Sequence, residues 1–267
     1  MLIDAHTHVF PDALAPRAIA SLSLTAKIKP SFDGTVGGLI ALMKKEGVDK
    51  SIILNVSTNE RQVENVNKFA LATKEKYSTL IPFCSLHPLT PEPKKKIREF
   101  IASGIKGLKL HPDYVGIPLD DERMRPLLSA AAEEGLPVVI HAGFDPVSPS
   151  KMHASPEAII KVLGEFRGIT LIAAHLGGAH VWDVIPETLC GRDLYFDTSF
   201  CCERTGCTPE AASRIFENHP IERFLFGSDA PWATPTEVLK LLSDVGISGE
   251  DFEKVSHKNA EKLFGIE

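Results

Sequence analysis

Eight short apolar runs spaced along the whole chain limit its fold more than any other feature. They are LIDAHTHV at 2–9, SIILNV at 51–56, LIPFCSL at 80–86, GLKL at 107–110, LPVVIH at 136–141, ITLIAAH at 169–175, LYFDTS at 194–199 and RFLFGSD at 223–229. Each has the length of a buried strand, and the segments between them carry helical period and helix punctuation. Gly47 closes a helix that contains Leu39, Ile40 and Met43, and Gly135 stands upstream of the fifth run as Gly47 does upstream of the second. Ser155-Pro156-Glu157, Thr208-Pro209-Glu210 and Thr234-Pro235-x-Glu237 each place a capping side chain before a proline at the first helical position. The last of these also reads as a capping box.

Strands alternating with helices predict a parallel sheet, because a parallel connection needs a crossover of a dozen or more residues. Eight such units predict closure into a single-domain (β/α)8 TIM barrel over residues 1–267. The competing open, doubly wound sheet would carry a glycine-rich phosphate loop after the first strand, and none is present. Hydrophobic content of 43% with 24% charged residues is that of an ordinary globular domain. A formal charge of −6 gives no support to nucleic-acid binding, and no apolar stretch approaches the ~18 residues of a membrane span. With a strand expected from residue 2, no signal peptide is expected. Five cysteines without zinc-motif spacing suggest reduced thiols, so a cytoplasmic location is expected. Cys201, Cys202 and Cys207 read as a plain loop.

Polar chemistry collects at the C-terminal ends of the runs, where an α/β barrel keeps its active site. The first run ends in His6 and His8, the fourth in Lys109 and His111, the fifth in His141, the sixth in His175 and the eighth in Asp229. Alternation along a strand turns Asp4, His6 and His8 to one side. Two neutral imidazoles on one face are half of a divalent metal site. Gly177 and Gly178 are expected to let backbone approach the pocket. Phe144, Trp182, Phe200 and Trp232 follow strand ends and suit an apolar wall. His87 stands either at the pocket rim or in a capped loop, and Asp197 is placed to brace a ligand or the barrel floor. His153, His180, His219 and His257 read as loop or helix residues without a role in the site. Residues 10–34, 142–154, 179–193 and 200–208 are the loops that would choose a substrate, and they carry no decodable motif.

HTH near the N-terminus, VVIHAG, IAAHLGG and FGSDAPW together resemble the amidohydrolase superfamily. The similarity is closest to its compact branch of metal-dependent hydrolases, which also contains aminocarboxymuconate semialdehyde decarboxylase. It covers essentially the whole chain, including the closing helix with Asn259, Leu263, Phe264 and Gly265. The resemblance implies that His6, His8, His141 and Asp229 bind a divalent metal, zinc in the first place and manganese in the second. It implies that Asp229 exchanges a proton with an activated water and that His175 faces that water or the substrate outside the permanent ligand set. Lys109 has three readings: a carboxylated bridge between two metals, an anchor for a substrate carboxylate, or a buried partner of Asp4 or Asp197. The anchor is preferred, with one metal per chain and His111 beside it as pocket wall.

The leading function is therefore metal-dependent hydrolysis of an amide, ester or lactone in a small molecule. The alternative is nonoxidative decarboxylation of an aromatic or unsaturated acid, which would use the same ring of residues. A non-catalytic barrel would have lost ligands, and all five central residues are present. A small-molecule substrate is the partner expected, with no nucleic acid or membrane and with homo-oligomer formation open.

Overall fold

The computed structural model describes residues 1–266. All eight expected strands form: β1 Ile3–Thr7, β2 Lys50–Ile53, β3 Leu80–Pro82, β4 Leu108–Leu110, β5 Val138–Ile140, β6 Leu171–Ala173, β7 Tyr195–Asp197 and β8 Phe224–Leu225. The helices in chain order are α1 Ala15–Ala26, α2 Val36–Glu46, α3 Val63–Lys76, α4 Pro93–Ala102, α5 Pro112–Val115 and α6 Arg125–Glu134. They continue with α7 Pro156–Glu165, α8 Ile185–Thr188, α9 Pro209–Asn218, α10 Pro235–Asp244, α11 Gly249–Glu253 and α12 Asn259–Phe264.

Every strand pairing is parallel, in the orders β1-β2-β3 and β4-β5-β6-β7-β8. Backbone bonds join the two arcs. Lys109 N–H donates to the Cys84 carbonyl at 2.8 Å, and Ala5 N–H donates to the Phe226 carbonyl at 2.7 Å. Parallel bridges at Cys84/Leu108 and Thr7/Ala230 complete the ring. The chain is a (β/α)8 barrel. Past the end of β8 a side chain takes over the pairing. Beyond β8, Gly227 N–H donates to Thr198 Oγ1 at 3.0 Å, and the same hydroxyl donates to the Gly227 carbonyl at 3.1 Å.

Residues alternate between two apolar layers, as a barrel requires. Leu108, Leu110, Val138, Ile140, Phe196 and Phe224 face the helices, while Ile52, Leu54, Phe83, Val139, Ile172 and Leu225 fill the interior. Ala260 and Phe264 of α12 join the interior layer, and Phe264 meets Phe83 edge-on with ring centroids 5.1 Å apart. Asn259 pins that helix by donating to the Ile221 and Phe224 carbonyls, both at 2.8 Å.

Helix ends follow their sequence punctuation. Ser155, Thr208 and Thr234 each accept a backbone N–H three residues on, Thr234 and Glu237 form the capping box, and Gly47 and Gly135 adopt the left-handed conformation. Caps of this kind contribute about 1 kcal/mol each. The segment 10–34 departs from expectation: it contains α1, of which only Ala15 and Ile19 are buried. A helix with so narrow an apolar stripe leaves little periodic signal.

Candidate metal centre

The first strand does not alternate simply. Its register against β2 shifts between Asp4 and Thr7, and Ile3 and Ala5 both belong to the interior layer with Ile52 and Leu54. Asp4 therefore lies on the opposite face from His6 and His8, contrary to the alternation rule. Its carboxylate accepts the Ser228 N–H at 2.8 Å and the Ser228 hydroxyl at 2.5 Å, and burial pushes its pKa up to about 7. A bulge beside an active site re-aims a side chain in this way. Here it turns His6 inward next to His8.

The two imidazoles are held so that one nitrogen of each turns to the pocket. His6 Nδ1 is 2.8 Å from Asp197 Oδ2, and His8 Nδ1 is 2.8 Å from the Leu54 carbonyl. Carboxylate and carbonyl oxygens accept only, so both Nδ1 atoms carry the proton and both Nε2 atoms turn a lone pair to the pocket, that of His6 accepting from Lys109 Nζ at 3.2 Å. His8 Nε2 lies 3.0 Å from Asp229 Oδ1, and His6 Nε2 lies 3.5 Å from the same oxygen. Three acceptors thus converge, all within 4.8 Å of one another. Acceptors facing acceptors are satisfied by a cation, and two imidazoles with one carboxylate suit a divalent ion with an open position.

Asp197 is the hub behind these groups. Besides His6, it accepts the His175 N–H and the Ser199 N–H, both at 3.0 Å, and the Ser199 hydroxyl. His175 Nδ1 faces the Ser199 carbonyl at 3.0 Å, which leaves Nε2 as the acceptor toward His141 Nδ1 at 3.0 Å. Burial lowers the His175 pKa to about 4, so the ring is neutral. By the same chain of donors, His141 Nε2 is a bare lone pair, and it is buried without a partner. His141 does not fall in the three-atom group. It joins His111 and Asp145 in an adjacent one, and both groups line one pocket.

Lys109 is 1% exposed, and its Nζ donates to His6 Nε2 at 3.2 Å. It makes no direct ion pair with Asp4 or Asp197 among the described residues, although the Asp197 charge acts on it. Burial lowers its pKa to about 8. His111 is pocket wall, stacked between Tyr114 and His141 with centroids 3.8 and 4.3 Å away. Five non-glycine residues at the site have positive φ: His175, Leu176, His180, Phe200 and Asp229, the last at 71°. Strained backbone of this kind collects at functional sites.

Several other expectations need correction. The added Cβ of Gly177 would meet Phe196 at 2.7 Å and that of Gly178 would meet Val181 at 2.6 Å, so these glycines serve packing behind the pocket. Gly143 is the position where backbones cross, since its Cβ would stand 2.2 Å from the Ala179 nitrogen. Trp182 does not line the pocket but donates to the His175 carbonyl at 2.9 Å, whereas Phe144, Phe200 and Trp232 do line it. His180 lines the mouth against expectation. His87 is a loop residue whose Nδ1 accepts the Leu89 N–H at 3.3 Å. Asp145 was missed, because a loop carboxylate leaves no periodic signal and only its place four residues after His141 could have marked it.

The family model described as Amidohydrolase matches residues 3–266. No curated protein matches. Among solved structures, an uncharacterised TIM-barrel protein from Bordetella bronchiseptica is 20% identical with a TM-score of 0.73, covering 99% of this chain and 98% of that one. 5-Carboxyvanillate decarboxylase LigW from Sphingomonas paucimobilis is 16% identical with a TM-score of 0.70, covering 100% and 99%. A protein from Acinetobacter baumannii described as a 2-pyrone-4,6-dicarboxylic acid hydrolase is 18% identical with a TM-score of 0.70, covering 99% of both chains. These likenesses concern the fold, whereas the family match runs through every strand that carries a site residue. The chain belongs to the amidohydrolase family, whose members are metal-dependent enzymes, hydrolases and decarboxylases among them.

Proposed function

We propose that the protein hydrolyses an amide, ester or lactone of a small molecule at a divalent metal, zinc first and manganese second. The observation that carries this reading is the 3.0 Å approach of Asp229 Oδ1 to the bare Nε2 of His8, with His6 Nε2 beside the same oxygen. His6, His8 and Asp229 would hold the ion, and the unpartnered Nε2 of His141 in the same pocket makes it the fourth candidate. Such an ion supplies Lewis acidity and lowers the pKa of a coordinated water to ~7.

The chain's own residues do the rest. Asp197 and the Leu54 carbonyl fix the tautomers of His6 and His8. Asp229 takes a proton from water as its oxygen bonds to the acyl carbon, then passes it to the heteroatom as the carbon–heteroatom bond breaks. His175, neutral and bound on both nitrogens, positions His141. Lys109 sits at the pocket floor against His6, where it would meet a substrate oxygen. No helix is long and apolar enough to cross a membrane, and five free cysteines are consistent with action in the cytoplasm.

A second reading has its own support. Phe10, Tyr114, Phe144, Phe200 and Trp232 make the pocket wall aromatic, which suits the ring of an aromatic acid, and LigW is a decarboxylase. In that reaction the ring–carboxylate bond breaks, carbon dioxide leaves, and protonated Asp229 supplies the hydrogen that the carbon gains. One experiment separates the two readings: the zinc-loaded protein is offered aryl esters, lactones and anilides alongside hydroxybenzoates. Release of acid from the first set supports hydrolysis, and carbon dioxide from the second set alone would replace it with decarboxylation.

A further inference from the structure

We propose that α1 is a specificity-determining element, whose half-covered apolar face receives an uncharged, apolar substituent of the substrate remote from the reacting carbon. The inference rests on the substrate pocket assigned above and names the class of substituent that it takes.

α1 carries one apolar stripe, Ala15, Ile19, Leu22 and Ala26, at steps of four, three and four residues that keep to a single helix face. The protein covers only the first half of it. Ala15 and Ile19 are buried, and Ile19 packs where a Cβ on Gly34 would stand. Leu22 and Ala26 are half-buried and line the pocket that holds His6, His8 and Asp229. The chain then turns at Lys27, left-handed with φ 56°, and half-buried Ile28 comes back to the same pocket. Apolar surface left open in this way gains from an apolar ligand.

This roof is fastened at several points. The Ser23 hydroxyl donates to the Ile28 carbonyl at 2.6 Å, which closes the turn after α1. Ser31 donates to the Pro231 carbonyl twice, from its N–H at 2.9 Å and from its hydroxyl at 3.2 Å. Phe10 N–H donates to the Gly34 carbonyl at 2.8 Å and joins the two ends of the segment. The loop after β5 adds Val147, which is 47% exposed and lines the same pocket. Its N–H is held by Asp145 Oδ1 at 2.7 Å.

Charge and direction select the occupant. Among the described residues, segments 22–28, 55–58 and 146–147 bring no charged side chain to the pocket. Thr25 spends its hydroxyl on the Ser21 carbonyl at 3.1 Å, and Thr58 spends its own on Gln62 Oε1 at 2.9 Å. Asn55 Nδ2 is the buried amide there without a partner. A charged substituent would give up its water in this part of the pocket and meet no opposite charge. Leu24, 81% exposed, stands two residues from Leu22 and so on the other side of the helix. The open part of the stripe therefore faces the pocket and not a second copy of the chain.

The test uses the zinc-loaded protein and n-alkylphosphonates, whose head group is a metal ligand with no bond to hydrolyse, so binding is read apart from turnover. Full burial of one methylene is worth about fourfold in affinity. By calorimetry, octylphosphonate should bind wild type at least about tenfold more tightly than butylphosphonate. That gain should fall by at least about threefold in Leu22→Asn and in Ile28→Thr, with methylphosphonate binding within about twofold of wild type. Ile28→Thr lies outside the helix, so it reads the roof even where Leu22→Asn unfolds α1. A smaller gain in wild type, a gain that survives both substitutions, or an equal loss for methylphosphonate would overturn the assignment. If methylphosphonate fails to bind while the longer acids bind in order of length, the metal centre of the proposed function falls and this assignment stands.

Discussion

Replacing Asp197 by Asn should weaken metal binding without touching a metal-holding atom. Asp197 Oδ2 accepts the Nδ1 proton of His6 at 2.8 Å, and Oδ1 accepts three donors from His175 and Ser199. An amide supplies one acceptor, which the three donors on the Oδ1 side will claim. Its NH2 then faces His6 Nδ1 and favours the other tautomer, with the proton on Nε2 where the lone pair is needed. Loss of such an outer partner typically costs 10–100-fold in metal affinity, or about 1.4–2.7 kcal/mol. Competition for zinc against a chromophoric chelator at pH 7.5 measures this directly. The metal-free thermal midpoint should be measured alongside, because Asp197→Asn also loosens a buried network. A fall in that midpoint with zinc affinity within twofold of wild type would show that Asp197 only holds the barrel together, and the tautomer argument would be wrong.

Other substitutions probe neighbouring links. Asp229→Asn should abolish turnover with the fold retained by circular dichroism, since an amide cannot serve as the base. Residual activity above one-hundredth of wild type would exclude the assigned proton transfer. His175→Asn should lower turnover yet keep more zinc than His6→Asn, and equal zinc loss in the two would place His175 among the ligands. Asp4 gives a pH dependence of stability. Its folded pKa of about 7 stands above the ordinary 3.8, so the folded state holds the proton longer and stability is lost as pH rises from about 4 to 7. The gap corresponds to roughly 4 kcal/mol at most. Asp4→Asn should therefore gain stability on wild type at pH 8 relative to pH 4 in urea titrations, and a difference that does not change with pH would refute the assignment.

The barrel was legible because its signals are local and repeated: apolar runs of strand length, proline after a capping residue, glycine at helix ends. The site was legible as a set of strand-end residues, because barrel geometry sends them all to one end. What the chain did not reveal depends on contacts between distant segments. The bulge that separates Asp4 from His6 is a matter of register against β2, which no alternation within 2–9 can show. Trp182 looks like any other aromatic after a strand, and only the fold directs its N–H to the His175 carbonyl. Asp197 was a candidate brace, but its four donors come from three segments of the chain. Lys109 carries the same lesson, since its proximity to His6 joins residues 103 apart in sequence.

The most direct test of the central claim is an anomalous difference map from crystals of the zinc-loaded protein, recorded on both sides of the zinc edge. A peak bonded to His6 Nε2, His8 Nε2 and an Asp229 oxygen, at the ~2.0–2.2 Å usual for zinc, is the predicted result. An empty His6–His8–Asp229 group with zinc bound elsewhere, or no zinc in the pocket at all, would contradict it.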